Sequence, residues 1–327
     1  MNYSFLLVGL TVVLAGTYFD TVVSKDAALE TVSKHGRLHV EGVNLMDEHG
    51  ERVQLKGMSL FWSVWMPQFY NQATVDGIKT YCHSNIVRAV MAIDTKDGGY
   101  LTDPDYETQL TEAVIEAAIK DDIYVLIDWQ DFEAENHLEE SLGFFDYISK
   151  KYASYPNIIY EPYNEPISLN WSTVVKPYHE AVIKTIRAND PDNLIVLGTP
   201  WYSQRLDLAA ADPVTGQTNI MYSLHYYANT HQQELRDITA AAIETGLPVF
   251  VSEYGTVNSD ATAPVNVSES RLWWDFLEER GMSYVNYDIS DKDEGASALI
   301  PGTTAEQTCQ EEYLTESGRL VVEQNKS

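Results

Sequence analysis

Short runs of β-branched and aromatic residues alternate with longer amphipathic stretches along most of this chain. Segments such as residues 106–120, 142–152, 174–188 and 236–245 show the helical period. The candidate strands between them lie at residues 53–60, 85–92, 124–129, 157–163, 194–198, 220–226, 248–254 and 283–289. Eight β-then-α units with nearly continuous apolar strands predict an α/β fold, a closed parallel (β/α)8 TIM barrel in a single domain, rather than an open sheet.

The segments before the first barrel strand have separate predicted roles. Residues 5–15 form an apolar run of the length of a signal-peptide core, with small residues Val13 and Ala15 before a cleavage point. We therefore predict a signal peptide at residues 1–16, a leader at 17–34 and a catalytic domain at 35–323. A buried strand or an anchor is the alternative, because no Lys or Arg precedes the run. Residues 38–53, with a turn at 47–50, predict a hairpin under the barrel.

The chain contains two cysteines, Cys82 and Cys309. A signal peptide would place them in an oxidising compartment, where a disulfide between them can form. Sequence separation says nothing about their distance in the fold, so two unpaired thiols are an equal alternative.

Charge and motif content exclude several classes of function. With 21 Lys and Arg against 49 Asp and Glu, the formal net charge is −28, which disfavours nucleic acid and anionic membranes as partners. We predict no metal site, because His137 has no ligand at metal-binding spacing, and no cofactor, because no phosphate-binding loop is present. The abundance of tyrosine, 21 residues, suits a neutral, hydroxylated ligand.

Two glutamates follow apolar strand candidates at the end of a barrel where chemistry takes place. Glu165 follows strand four in the motif NEP, and Glu253 ends strand seven in SEYG. Strands four and seven lie on opposite sides of a barrel mouth, and a pair of facing carboxylates is what cleavage of a glycosidic bond requires. Singly, each glutamate has an alternative role in an ion pair, with Arg88 a possible partner for Glu253.

The chain resembles the secreted endo-β-1,4-glucanases (cellulases) of glycoside hydrolase family 5. The resemblance rests on LKGMSLFW, NIVRAVMAID, YVLIDW, NIIYEPYNEP, LIVLGTPWYSQ, MYSLHYYA, PVFVSEYGT and SYVNYDISDKDEGASAL, and it covers residues 35–300. It implies that Glu165 is the general acid/base and Glu253 the nucleophile of a configuration-retaining reaction. For that reaction the two carboxyl groups should lie about 5–5.5 Å apart.

The resemblance also implies the residues that surround this pair. Arg88 and Tyr227 would hold Glu253, Asn164 would bind the sugar 2-hydroxyl, and His225 would contact Glu165. Lys292 and Glu294 match positions that contact a sugar on the non-reducing side, with a solvated charge run as the alternative. The substrate-binding set predicted in this way is Arg88, Gln130, Asn164, Tyr202, His225, Tyr227, Tyr287, Lys292 and Glu294.

Four positions depart from the family pattern. Gln130 and Phe132 replace histidines after strand three, Tyr287 replaces a tryptophan on strand eight, and Asp288 replaces a small residue. Tyr287 offers less stacking area than tryptophan, and Asp288 adds a carboxylate that would disfavour ionisation of the nucleophile. We therefore keep two alternatives to a secreted, monomeric enzyme acting on β-1,4-linked glucan: a hydrolase of β-1,4-mannan or mixed-linkage glucan, and a carbohydrate-binding pseudoenzyme.

Overall fold

A computed structural model of the protein describes Met1, residues 31–262 and residues 264–327. The predicted signal peptide beyond Met1, and the leader up to residue 30, lie outside the described residues. The description resumes just before a short helix, α1 (Val32–His35), which straddles the predicted boundary at residue 35. In the part of the chain that is described, no helix is long and apolar enough to cross a bilayer.

The segment under the barrel is a hairpin, as predicted, but its turn lies elsewhere. Strands β1 (His39–Glu41) and β2 (Asn44–Met46) pair antiparallel, and the turn between them contains Gly42 at a φ of 61°. The predicted turn at 47–50 is a second turn, which brings Arg52 back to Met46 as an isolated bridge. The Asp47 carboxylate stabilises this second turn, because it accepts hydrogen bonds from the backbone N–H groups of His49 and Glu51.

Eight parallel strands close into a barrel, which confirms the predicted TIM-barrel architecture. Each strand pairs with the next in sequence, and the last pairs with the first. The strands are β3 (Lys56–Leu60), β4 (Ile86–Ala92), β5 (Tyr124–Gln130), β6 (Ile158–Glu161), β7 (Leu194–Leu197), β8 (Ile220–Tyr227), β9 (Val249–Gly255) and β10 (Tyr284–Ile289). All eight overlap the strand candidates and differ from them only at the ends.

Helices surround the barrel and follow their strands in sequence. They are α2 (Gln72–Thr80), α3 (Pro104–Lys120), α4 (Leu138–Tyr152), α5 (Lys176–Asn189), α6 (Pro200–Ser203), α7 (Leu206–Ala211), α8 (Gln233–Glu244), α9 (Val267–Arg280) and α10 (Glu316–Asn325). Among these, α6 is a short turn with left-handed backbone angles rather than a regular helix. Local sequence sets their ends. For example, Asp103 caps α3 by accepting from the Tyr106 N–H, and α9 ends at Gly281 in the left-handed conformation.

The barrel interior changes from apolar to polar along its axis. At the hairpin end, inward side chains form one apolar cluster with Leu38, Leu45 and Val53 of the hairpin region. Side chains alternate along a strand, so the next inward position on β4 after Ile86 is Arg88, and on β6 after Ile159 it is Glu161. Both of these polar side chains are fully buried. The hairpin end of the barrel is therefore filled by apolar side chains, and the opposite end contains a layer of buried charged side chains.

A disulfide joins Cys82, just after α2, to Cys309, which settles the alternative left open by the sequence. Their Cα atoms are 5.4 Å apart, across 227 residues of sequence. The C-terminal segment lies so close to α2 that a Cβ on Gly77 would approach the Thr308 carbonyl oxygen to 2.6 Å. The bridge thus fastens the C-terminal segment to the first barrel helix.

Replacing both cysteines by serine should destabilise the fold. A crosslink that closes so long a loop restricts the unfolded chain, and its loss costs about 2–4 kcal/mol in free energy of unfolding. Urea unfolding of the Cys82→Ser/Cys309→Ser variant, beside the oxidised wild type, measures the loss. Equal midpoints and slopes for the two proteins would show that the bridge does not restrain the chain.

Candidate active site

A cleft of about 640 Å³ opens at the carboxyl ends of the barrel strands. Nine of the eleven predicted site residues line it: Gln130, Glu165, Tyr202, His225, Tyr227, Glu253, Tyr287, Lys292 and Glu294. The other two, Arg88 and Asn164, lie directly beneath and are fully buried. The structure therefore brings all the predicted residues together, and the volume is in the range of small-molecule binding sites.

Glu253, near the end of β9, is held by two donors. Arg88 Nη1 donates to its Oε2 at 2.8 Å, and the Tyr227 hydroxyl donates to its Oε1 at 2.7 Å. The Tyr227 ring packs on Gly255 so closely that a Cβ there would lie 2.3 Å from the ring. Glycine at this position therefore allows the phenol to reach the carboxylate. Both donors stabilise the negative charge and fix the direction of the side chain.

Glu165, in the loop after β6, has a different environment. Its Oε1 lies 2.8 Å from Nδ1 of His225, and its backbone N–H donates to the Asp131 carbonyl oxygen at 3.3 Å. Burial raises the pKa of Glu165, and the charge of Glu253 raises it further, while contact with His225 offsets part of the shift. The site thus holds one carboxyl group biased towards its protonated form beside one that is bound as a carboxylate.

The two carboxyl groups approach each other across the cleft. One oxygen of Glu165 and one of Glu253 lie within 4.8 Å, and His225 contributes a nitrogen within the same distance. A separation this short leaves no room for a water molecule between the carboxyl groups. The pair can therefore attack a carbon directly on one side and transfer a proton on the other.

These three residues are also the one group in the described chain whose ligand atoms come close enough together to share a metal ion. Their atoms already have partners, because Arg88 and Tyr227 occupy the two oxygens of Glu253 and His225 binds Glu165. Arg88 also supplies the positive charge that a cation would bring. We therefore assign no metal to this group.

A left-handed turn holds the Glu165 loop and presents an aromatic ring to the cleft. Trp201, Tyr202 and Ser203 have φ values of 59°, 60° and 56°, a conformation that costs roughly 1–2 kcal/mol per non-glycine residue. Hydrogen bonds offset this cost, among them the one from Ser203 Oγ to the Asn164 carbonyl oxygen at 2.8 Å. Tyr202 lines the cleft with 45 % of its surface exposed. Trp201 is equally open to solvent but does not line the cleft.

Beneath the cleft, Arg88 binds three carboxylates at once. Its nitrogens lie 2.7 Å from Glu161, 2.8 Å from Glu253 and 3.1 Å from Asp128. Its Nη2 also donates to Asn164 Oδ1 at 2.7 Å. Burial raises the pKa of Asp128, and Arg88 only partly offsets the shift because its charge is shared. The Asn164 amide expected to bind sugar is thus fixed in place by Arg88.

Gln130, the last residue of β5, and Phe132, just after the strand, contact other residues around the cleft. The Gln130 amide, oriented so that both ends are satisfied, donates to Asp128 and accepts from Asn164 Nδ2 at 3.0 Å. Phe132 packs between Trp62 and Tyr202, with ring centroids 5.8 and 6.4 Å away. The substitutions therefore convert part of a polar rim into an aromatic wall.

Lys292 and Glu294 lie on the cleft rather than on a solvated loop. Their side chains form an ion pair at 2.6 Å, and Lys292 Nζ sits 4.1 Å from the centre of the Phe61 ring. The pair is partly buried and anchored to the aromatic side of the cleft. It is therefore placed to offer both a donor and an acceptor to a hydroxylated ligand.

Comparison of the chain with known proteins identifies a family. Residues 46–293 match the profile of Cellulase (glycosyl hydrolase family 5). The chain belongs to glycosyl hydrolase family 5. The resemblance predicted from the sequence is thereby confirmed.

Individual family 5 relatives show how far the similarity extends. Endoglucanase Z of Dickeya dadantii is 44 % identical over 276 residues, which are 83 % of this chain and 62 % of the relative. The chain thus spans less than two thirds of that protein. An endoglucanase of Clostridium saccharobutylicum is 35 % identical, over 98 % of this chain and 71 % of its own.

Solved structures of other proteins are also similar to this chain in fold and sequence. A structure from Cytophaga hutchinsonii has a TM-score of 0.88 at 42 % identity, covering 91 % of this chain and 97 % of the other. The catalytic domain of a Thermobifida fusca endoglucanase, solved as a variant in complex with cellotetraose, has a TM-score of 0.86 at 31 % identity. It covers 91 % of this chain and all of its own.

Three buried residues near this family 5 site, Glu161, Ser223 and Ser252, were not singled out from the sequence. Glu161 binds Arg88, and Ser252 lies between Ser223 and His225, with Oγ 2.6 Å from Ser223 Oγ and 3.0 Å from His225 Nε2. A signal for Glu161 was present, because strand alternation places it on the same inward face as Ile159. Ser252 carried no comparable signal, since a serine in a strand is most often inert.

Asp288, the acidic departure on β10, is fully buried beside Tyr287, and the peptide bond between them is cis. Neither of its carboxylate oxygens accepts a hydrogen bond of normal geometry. Burial raises the pKa of Asp288 to about 7, and neighbouring Ser290 and Lys292 reverse only part of the shift. Below that pH the group is neutral, so it adds little negative charge beside Glu253.

Replacing Asp288 by Asn should make the fold less sensitive to pH. The folded protein holds this proton more tightly than the unfolded chain does, so the contribution of Asp288 to wild-type stability is fully present below about pH 4 and is lost as the pH rises to about 7. The stability of Asp288→Asn relative to wild type should therefore rise over this interval, by roughly 1.4 kcal/mol per pKa unit. Denaturant unfolding at pH 4, 5.5 and 8 measures the difference. The control Asp293→Asn removes an exposed carboxylate from the following loop, and an equal rise in that variant would contradict the prediction.

Proposed function

We propose that this family 5 domain is a retaining endo-β-1,4-glucanase that hydrolyses internal bonds of cellulose-like glucans. The observation that carries the proposal is the pair Glu165 and Glu253, with oxygens within 4.8 Å and opposite environments. Short carboxyl separation is the geometry of double displacement, in which the anomeric configuration is retained.

In the first step, the Glu253 carboxylate attacks the anomeric carbon while Glu165 donates its proton to the leaving glycosidic oxygen. The bond to that oxygen breaks as the ester bond to Glu253 forms, so one glycan fragment leaves and the other stays covalently bound. The raised pKa of Glu165 suits the acid role, and the donors Arg88 and Tyr227 suit a nucleophile that must remain ionised and aimed.

In the second step, Glu165 acts as a base. It takes a proton from a water molecule, the oxygen attacks the anomeric carbon, and the ester bond to Glu253 breaks. Once Glu253 is esterified its charge is gone, so the repulsion that raised the pKa of Glu165 is also gone. The same carboxyl group can therefore serve as acid and then as base.

The cleft supports a neutral glycan as substrate. Its walls combine aromatic faces with hydrogen-bonding groups, which suit the apolar faces and the hydroxyl groups of sugar rings. The named relatives are endoglucanases, and the complex of one structural neighbour contains cellotetraose. We further propose that the protein is secreted, on the signal-like sequence at residues 5–15.

The proposed activity is tested by release of reducing sugar from carboxymethylcellulose, lichenan and mannan. We expect release from carboxymethylcellulose with the β-anomer formed first, as followed by NMR. Glu253→Gln, which keeps the shape of the side chain but removes the nucleophile, is the control and should abolish release. Faster release from mannan or lichenan would support the other hydrolases. Oligosaccharide binding without release from any glycan would instead identify a pseudoenzyme.

The role of Glu165 predicts a dependence on the leaving group. Glu165→Gln should lose about 10²- to 10⁴-fold in kcat/KM on carboxymethylcellulose, because the sugar oxygen leaves only when it is protonated. The same variant should lose far less with dinitrophenyl β-cellobioside, whose phenolate leaves without a proton. Azide should then raise kcat for the aryl substrate, since this anion attacks without a base. Equal losses on both substrates would exclude Glu165 as the acid.

A further inference from the structure

Glu161 is a carboxylate beneath the cleft with no contact to the space that substrate would fill. It lies at the end of β6, four residues before Glu165, and is completely buried. Its Oε2 accepts from Arg88 Nε at 2.7 Å, but its Oε1 has no hydrogen bond of normal geometry. His225 and the Ser252 hydroxyl also contact this carboxylate. A buried carboxylate oxygen without a normal hydrogen bond is costly and calls for a reason.

This oxygen, Oε1, faces His225. Glu161 Oε1 lies 3.8 Å from His225 Nε2, which is 3.0 Å from the Ser252 hydroxyl. The other ring nitrogen, Nδ1, lies 2.8 Å from Glu165 Oε1. His225 therefore stands between the two glutamates of β6 and its following loop, one on each side of the imidazole.

Charged groups surround His225 from several strands. Glu253 on β9 approaches Nδ1 to 4.0 Å, and Asp128 on β5 and Arg88 on β4 complete the layer. Burial alone would lower the pKa of His225, but the charge of Glu253 and the contacts with Glu161 and Glu165 raise it to about 10.

Two further groups complete this environment. Burial would raise the pKa of Glu161, but Arg88 and His225 more than reverse the shift, so Glu161 stays ionised. His231, the other imidazole near the cleft, has its pKa lowered to about 4 by burial and by the charge of His225. At neutral pH it therefore adds no charge.

We propose that Glu161 is a positioning residue which, through His225, sets how readily Glu165 gives up its proton, because a protonated His225 donates from Nδ1 to one oxygen of Glu165 and favours its ionised form. The inference rests on the proposed role of Glu165 as the acid. With Glu161 ionised, His225 keeps its proton and donates from Nδ1 to Glu165. Without that charge, the imidazole gives the proton up more readily, and Glu165 retains one to higher pH.

The sign of the effect separates this route from a simple field effect. Through His225, removing the charge of Glu161 moves the alkaline limb of the pH profile of kcat/KM to higher pH, since Glu165 stays protonated longer. Acting directly, loss of a nearby negative charge would make Glu165 easier to ionise and would move the limb to lower pH. The two mechanisms therefore predict opposite shifts.

The test compares Glu161→Gln with Asp128→Asn in the full chain. Asp128 is the matched control, because it too is a buried acidic side chain on Arg88, at 3.1 Å, but forms no ion pair with His225, whereas Glu161 Oε1 lies 3.8 Å from His225 Nε2. The pH profile of kcat/KM on carboxymethylcellulose gives the alkaline limb. The ¹⁵N imidazole signal of His225, assigned by its loss in His225→Gln, gives the titration of the ring directly.

We expect the titration of His225 in Glu161→Gln to fall by at least about one pH unit, with the alkaline limb moving up. Asp128→Asn, which acts on the ring only through its charge, should shift both by clearly less. Glu161→Asp keeps the negative charge but moves it away from His225. The titration of His225 and the alkaline limb should each shift in the same direction as in Glu161→Gln, but by less, and this variant serves as the test if the Gln variant does not fold. Unchanged titration of His225, equal shifts in Glu161→Gln and Asp128→Asn, or a limb that moves down would overturn the proposal.

The NMR titration does not need turnover. If wild type cleaves no glucan, the proposed function fails, but the dependence of His225 on Glu161 is still measured. If wild type is active and the titration does not move, the proposed function stands and only this inference fails.

Discussion

The structure of the site depends on the way Arg88 is shared. One guanidinium faces Glu161, Glu253 and Asp128 in the interior of the barrel, where water does not screen the charges. One positive charge cannot neutralise three carboxylates, so the deficit must be met in another way. Burial raises the pKa of Asp128, which favours its neutral form, and a protonated His225 adds a positive charge. Glu253 keeps its hydrogen bonds from Arg88 and Tyr227 because the ionisation of the other groups in the layer offsets the excess negative charge.

The barrel makes such sharing possible because each strand end contributes one rigid position. Arg88, Asp128, Glu161 and His225 come from four different strands, so no flexible loop separates the charges. Glu165 is the exception, since it lies in a loop. That loop is held by the Asp131 carbonyl, one residue after β5, and by the left-handed turn through Ser203. The strained backbone of that turn therefore helps to hold Glu165 in a fixed position relative to Glu253.

The sequence was sufficient to place the eight strands and the two glutamates, because both leave a local pattern: apolar runs of strand length, with Glu253 near the end of one and Glu165 in the loop after another. It misplaced the hairpin turn, since Asp47–Gly50 has turn chemistry as good as that at Gly42; the structure contains both turns, and β1 pairs with β2 across the one at Gly42. It left Cys82 and Cys309 open, because their proximity depends on how closely the C-terminal segment approaches Gly77. The left-handed turn at Trp201 could not be foreseen, since aromatic residues rarely adopt that conformation and long-range hydrogen bonds impose it.

The net charge of −28 has a smaller part in the chemistry than its size indicates. Most of that charge lies on the surface, where salt screens interactions beyond about 8–10 Å. The groups that set the ionisation of Glu165 lie within a few ångströms and away from water: His225 at 2.8 Å, with Glu253 and Arg88 behind it. Asp288 follows the same logic, because burial keeps it protonated up to about pH 7 rather than letting it add to the acidity of the surface. The pH dependence of the site is therefore a property of the buried layer, and surface charge can change without altering it.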